Sequence, residues 1–182
     1  MTPLPIDNEL DHTECARAFI EKHALTRLAD RFPATTNFLT LDLTVRATNG
    51  YCFPDFAAFV VARAPNAESR LRVFGFELKV PAGISLNAVE QAKRQKQSLD
   101  AVFLLCLLPD GYINPKAFDS VRSAARENGI GIIRVKDWRC GRDFEILETP
   151  RISPPENEDA VTRLRGSLSK QDRQFLRAWT AA

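Results

Sequence analysis

Paired cysteines, histidines and long apolar runs are all scarce in this chain, and each scarcity removes a class of function. Of the four cysteines, Cys15, Cys52, Cys106 and Cys140, none stands in a CxxC pair, and His12 and His23 are the only histidines. A zinc site of ordinary ligand spacing therefore has too few ligands to draw on. Free thiols fit a reducing compartment. Cys106, in an apolar run, and Cys15, on an expected helix, read as small core residues. No apolar stretch approaches the roughly 20 residues that a membrane span requires. The opening segment MTPLPIDNELDH has neither the basic start nor the apolar stretch of a signal peptide. A cytoplasmic protein with no membrane attachment is the expectation. Excess charge is scarce too. A formal net charge of +2 is too small to mark a nucleic-acid binder, so any electrostatic footprint must be local.

What is present is an ordinary globular balance, with 45% hydrophobic and 26% charged residues. Residues 11–32 carry Ala16, Ile20, Ala24 and Leu28 at steps of four, which predicts a helix capped by Asp11 or Thr13 and stopped by Pro33. The period then changes to two. Leu39, Leu41, Leu43 and Val45 alternate with Thr40, Asp42 and Thr44, a strand with one buried face. Asn49-Gly50 is a hairpin turn signal. Strands follow over 52–63 and 70–80, separated by the polar loop 64–69. A helix over 86–98 leads to the apolar run 101–108, a strand expected to be central and covered by helices on both faces. Asp110-Gly111 marks a turn, 115–128 a helix ended by Gly129, and 130–135 and 144–147 two further strands. A proline-rich linker at 151–159 precedes short helices at 158–167 and 170–181, the second opened by Ser169 and Asp172 in capping-box spacing. The order is α-β-β-β-α-β-α-β, an α/β class with a helical tail.

Chemistry concentrates at Pro54-Asp55 and Glu77-Leu78-Lys79. Residues two apart on a strand share a face, so Glu77 and Lys79 project together while Leu78 turns away. If the strands that carry Asp55 and Glu77 form a hairpin, two carboxylates and an ammonium converge. Two hard carboxylates suit Mg²⁺ or Mn²⁺, with the backbone carbonyl of Leu78 as a further ligand. Such a metal acidifies a bound water and neutralises phosphate charge, and a lysine beside it supports the water or the transition state. An acid and a base spaced this way often mark a solvated face. Here Phe74, Gly75, Phe76, Leu78 and Val80 surround them, and charges in an apolar stretch are costly unless paired or metal-bound. Among the 23 acidic residues, Glu77 alone is followed by lysine two places on.

Pro54-Asp55 followed by Glu77-Leu78-Lys79 resembles the core motif of the PD-(D/E)xK nucleases, the restriction-endonuclease-like fold. The resemblance implies an α-β-β-β-α-β core with a mixed central sheet flanked by helices. It implies a nuclease-like domain over residues 1–150, with 151–182 as linker and C-terminal helical tail. Residue by residue, Asp55 matches the motif's aspartate, Glu77 its second acid and Lys79 its lysine. Gln91-Ala92 resembles the glutamine element that many members place in the following helix. Some members add a glutamate from the first helix, for which Glu21 or Glu14 is available; Glu21 is preferred because it lies deeper in the helix. The aromatic that often follows the helix glutamine is absent, and Gln95 stands in that region. The activity implied is metal-dependent hydrolysis of DNA phosphodiesters, by an endonuclease.

Lys93, Arg94 and Lys96, on the helix after the motif, are candidate phosphate contacts. Arg122, Arg126, Arg134, Lys136, Arg139 and Arg142 continue the basic theme. Trp138 is read as a core or interface residue. The tail, with Phe175 and Trp179, could bind nucleic acid, close over the core, or form a homodimer contact. Two other readings stay open. One is a nuclease-fold module that binds nucleic acid or a partner protein without cutting. The other is a nuclease subunit that relies on a partner for target recognition, since no recognition domain is evident.

Overall fold

The alternating segments of the sequence become one six-stranded mixed sheet. The computed structural model describes residues 9–29, 35–42, 52–62, 70–111, 114–138, 143–166 and 168–181. Pro33, Leu43, Thr44, Val45, the Asn49-Gly50 turn, the 64–69 loop, Arg139, Cys140 and Arg142 lie outside the described residues. The strands are β1 (Thr35–Asp42), β2 (Phe56–Ala62), β3 (Arg70–Lys79), β4 (Ala101–Leu107), β5 (Gly131–Val135) and β6 (Phe144–Glu148). They lie side by side in chain order. β1–β2 and β2–β3 are antiparallel, β3–β4 and β4–β5 parallel, and β5–β6 antiparallel.

Each parallel step requires a crossover, and a helix provides it. α3 (Leu86–Lys96) joins β3 to β4, and α4 (Pro115–Glu127) joins β4 to β5. All of β4 is buried, as its continuous apolar run requires of a strand covered on both faces. One face packs Val73, Leu104, Cys106 and Ile132 against Ala88, Val89 and Ala92 of α3 and Val121 and Ala125 of α4. Leu164, Leu168 and Leu176 join that cluster, so the tail helices α5 (Glu158–Gly166) and α6 (Lys170–Ala181) contribute to this core. The other face packs Phe76, Leu78, Phe103 and Leu105 against Ala16, Phe19, Ile20 and Leu28 of the N-terminal helical segment. Trp138 belongs to this second layer, with its ring 5.5 Å from that of Phe19.

Four local expectations are corrected. The N-terminal segment is not one regular helix. A 3₁₀ turn (Glu9–His12) leads into α1 (Thr13–Phe19), a π-helical turn (Ile20–Ala24) and α2 (Leu25–Ala29). The wider turn closes on the Ile20 carbonyl through the Leu25 N–H, and both side chains are buried. His12 holds the N-cap position of α1 and makes no side-chain cap bond there. Thr40 does not face water: it is 3% exposed and pairs with Ala58 on the side covered by the N-terminal segment. The N-terminal helical segment packs on the face of β1 that carries Thr40. Cys15 lies on the exposed side of α1, whereas Cys106 is buried as expected. Gly129 ends α4 region with φ +64°, the left-handed conformation a helix stop of this kind uses. No helix among the described residues is long and apolar enough to cross a membrane.

Candidate active site at the carboxyl end of β3

The register places Glu77 opposite Leu104 and Lys79 opposite Cys106, on the sheet face that α3 covers. Leu78 points into the other layer. Period two therefore puts an acid and a base together under a helix, where Glu77 is 2% and Lys79 8% exposed. Their side chains meet, with Lys79 Nζ 2.8 Å from Glu77 Oε1.

Two amides from successive turns of α3 complete the environment of Glu77. Gln91 Nε2 donates to Oε1 at 2.6 Å, and Gln95 Nε2 donates to Oε2 at 2.6 Å. The spacing of four on a helix brings both side chains to the same face. Gln95, fully buried, also donates to the Phe53 carbonyl at 3.2 Å, while its own Oε1 is buried with no partner among the described residues.

Asp55 stands just before β2. The β2–β3 ladder ends at Phe56 and Phe76. Beyond that end, Asp55 Oδ2 accepts the Leu78 N–H at 2.8 Å, so a carboxylate continues the pairing where backbone pairing stops. Gly75 makes this approach possible. A Cβ there would lie 2.8 Å from Pro54 Cγ and 2.6 Å from Leu99 Cδ1, so any larger residue would push the Pro54-Asp55 segment away.

A second carboxylate reaches Lys79, and it is not Glu21. Glu21 pairs instead with Arg17 one turn earlier, at 3.3 Å on the exposed side of the helical segment. Glu9, on the 3₁₀ turn before α1, approaches Lys79 Nζ to 3.5 Å. Gly83 leaves room for it, since a Cβ there would sit 3.0 Å from Glu9 Oε1 and 3.2 Å from Lys79 Cδ. Glu9 comes from the layer opposite α3, so the two layers meet around Lys79 at the end of the sheet. Sequence reasoning missed Glu9 and did not assign Gln95 to the site. The position of Gln95 four places after Gln91 was a usable signal. Glu9 had none, because its approach depends on how the N-terminal segment folds over the sheet.

The electrostatics follow from burial and crowding. Burial raises the Asp55 carboxyl and the nearby Glu77 charge raises it further; the Leu78 N–H and Lys79 counteract only in part, leaving it at about 7. Burial by itself would lower Lys79. The charge and hydrogen bond of Glu77, with Glu9 and Asp55, outweigh it and hold the ammonium above its ordinary value. Lys79 is thus a permanent cation at neutral pH and a donor, not a base.

Part of the expected basic footprint, Lys96, Arg122, Arg126, Arg134 and Lys136, has internal partners. Lys96 Nζ donates to the Asn128 and Gly129 carbonyls at 3.3 and 3.2 Å, near the carboxyl end of α4 where exposed carbonyls favour a cation. Burial and the Arg151 charge lower its pKa. Lys96, expected as a phosphate contact, is held in the structure by these two helix-end carbonyls. Arg122 and Arg126 both grip Glu148, at 3.0 and 2.7 Å. Arg134 and Lys136 both pair with Asp110, at 2.6 and 3.2 Å. Lys93 and Arg94 remain exposed, Lys93 only 3.9 Å from Glu90.

No group of three His, Cys, Asp or Glu side chains among the described residues is arranged to hold a metal ion. The Glu77 charge helps to raise the Asp55 carboxyl, and Lys79 offsets that crowding only in part. No protein-family model matches this chain, and no curated protein matches it either.

Proposed function

We propose that the chain is a metal-dependent nuclease that hydrolyses DNA phosphodiester bonds, with the restriction-endonuclease-like fold its motif suggests. The observation that carries this reading is the burial of Glu77 and Lys79 as a hydrogen-bonded pair beside Asp55. Charge placed under a helix at the end of a sheet costs stability, and a phosphate-hydrolysing site has use for each group. The observed order of one helical segment, three strands, a helix and a fourth strand supports the same reading.

Asp55 and Glu77 would hold Mg²⁺ or Mn²⁺, with the Leu78 carbonyl available as a further ligand. When bound, the ion acidifies a water and neutralises charge on the phosphate. Gln91 and Gln95 keep the Glu77 carboxylate in one orientation. Lys79 donates toward the attacking water or the phosphate oxygens, and its raised pKa keeps it charged throughout. Lys93 and Arg94 contact the DNA backbone.

A second reading, a nuclease subunit that takes target recognition from a partner protein or a second copy, is favoured by the pairing of Arg122, Arg126, Arg134 and Lys136 with carboxylates. These four basic side chains are then engaged by carboxylates rather than by phosphates. Plasmid incubation with Mg²⁺, Mn²⁺ or EDTA tests both. Nicking or linearisation that needs metal is the expected result. Metal-independent inertness together with tight DNA binding would replace the enzyme with a binding module.

A further inference from the structure

We propose that Gln95 is a positioning residue that straps the Asp55 segment to Glu77 and so fixes the separation of the two carboxylates. Resting on the nuclease reading above, it follows from one amide that makes two bonds. Nε2 of Gln95 donates at once to Glu77 Oε2 on β3, at 2.6 Å, and to the carbonyl of Phe53, at 3.2 Å. Phe53 lies two residues before Asp55, beyond the Phe56–Phe76 end of the β2–β3 ladder. Gly75, on the sheet face that α3 covers, lets Pro54 settle against the sheet, and Gln95 of α3 holds the same segment through the Phe53 carbonyl.

The donor pattern also distinguishes the two oxygens of Glu77. Each carboxylate oxygen offers about two acceptor sites. Oε1 receives Lys79 and Gln91, which occupies both. Oε2 receives Gln95 alone among the described residues, which leaves one acceptor site on it. Oε2 is therefore the oxygen through which Glu77 meets a cation, and Gln95 sets its direction. The side chain is fully buried and its Oε1 has no partner among the described residues, so the amide carries a cost at this position. Methionine in this position would fill similar space with no such penalty.

The test compares Gln95→Met with Gln91→Met. Both remove one donor from Glu77, but only the first cuts the bond to Phe53. The metal-free readout is hydrogen exchange of the Leu78 amide in EDTA, because that N–H is held by Asp55 Oδ2 at 2.8 Å. Gln95→Met is expected to speed its exchange about tenfold or more, with the amides of β4 unchanged, and Gln91→Met to leave it near wild type. The second readout is the Mg²⁺ concentration for half-maximal thermal stabilisation without DNA, expected to rise about tenfold in Gln95→Met. Should that variant not fold, Gln95→Asn, which keeps an amide too short to span both acceptors, is measured in the same way. Unchanged Leu78 exchange, or exchange that rises equally across the whole sheet, overturns the strap. If wild type shows no Mg²⁺-induced stabilisation, the nuclease reading fails, while faster Leu78 exchange in Gln95→Met still upholds the strap.

Discussion

Replacing Asp55 with asparagine removes a negative charge and keeps an oxygen to accept the Leu78 N–H, which lies 2.8 Å from Oδ2 in the native chain. The consequence for stability has a definite sign. The folded-state value of about 7 stands above the ordinary 3.8, so between those limits the folded chain holds a proton that the unfolded chain has released. Stability of the metal-free protein from this group therefore falls as pH rises from about 4 to about 7, and the full penalty applies above that. The shift from 3.8 to about 7 corresponds to about 4 kcal/mol as a ceiling. Asp55 is only partly buried, and solvent screening reduces the realised figure to about 2 kcal/mol. Asp55→Asn is thus expected to be more stable than wild type in EDTA at about pH 8, by about 4–8 °C in Tm. The gap should narrow toward about pH 5, where wild type is largely protonated at this site. Saturating Mg²⁺ should reverse the order. At a hundred times its Kd, a bound ion adds about 2.7 kcal/mol to wild type and nothing to the variant. Thermal denaturation over a pH series, with EDTA and with Mg²⁺, measures all of this. A variant less stable than wild type at every pH, or a gap that does not change between about pH 5 and pH 8, would refute the crowding argument.

Other outcomes follow from the same structure. Lys79→Ala leaves Glu77 buried without its cation and should cost about 3 kcal/mol in chemical denaturation. It should keep the Mg²⁺-induced stabilisation and slow plasmid cleavage about a hundredfold; cleavage at the wild-type rate would exclude a role for the ammonium. Lys93→Gln and Arg94→Gln should each weaken DNA binding and reduce the salt slope by about one. Lys96→Gln should instead lower Tm with little effect on binding, because its amine serves the Asn128 and Gly129 carbonyls. Gly129→Ala should destabilise by about 1–3 kcal/mol, since φ there is +64° and the added Cβ would lie 2.7 Å from Arg151 Cβ.

Backbone periodicity was legible in the sequence, and side-chain partnerships were not. Alternation alone put Glu77 and Lys79 on one face with Leu78 on the other, and the unbroken apolar run at 101–108 identified the buried central strand. Both depend on local geometry that a strand imposes on itself. The errors sit where a second element decides the outcome. Thr40 looked outward because its strand alternates, but the N-terminal segment covers that face. Cys15 looked buried because it is a small residue on an amphipathic helix, yet the buried stripe runs through Ala16, Phe19 and Ile20 instead. Lys96 differed from Lys93 in nothing visible in the sequence; only the placement of α4 against α3 gives it two carbonyls to bind. The same holds for Glu9, whose partner is seventy positions away.

Strand order in this sheet has a consequence for how the protein is made. Every strand pairs with the one synthesised just before it, so the sheet can grow from one edge to the other without waiting for a distant segment. The groups around Glu77 on β3, α3 and the segment before β2 come from residues 53–95, and β4 follows at once to pair with β3. A nascent chain that has released β4 from the ribosome therefore already contains the paired carboxylates and their amide supports. The later strands then extend the sheet beyond a centre that is set early, and lesions in β5 or β6 should lower the yield of folded protein more than they alter that centre in the molecules that do fold.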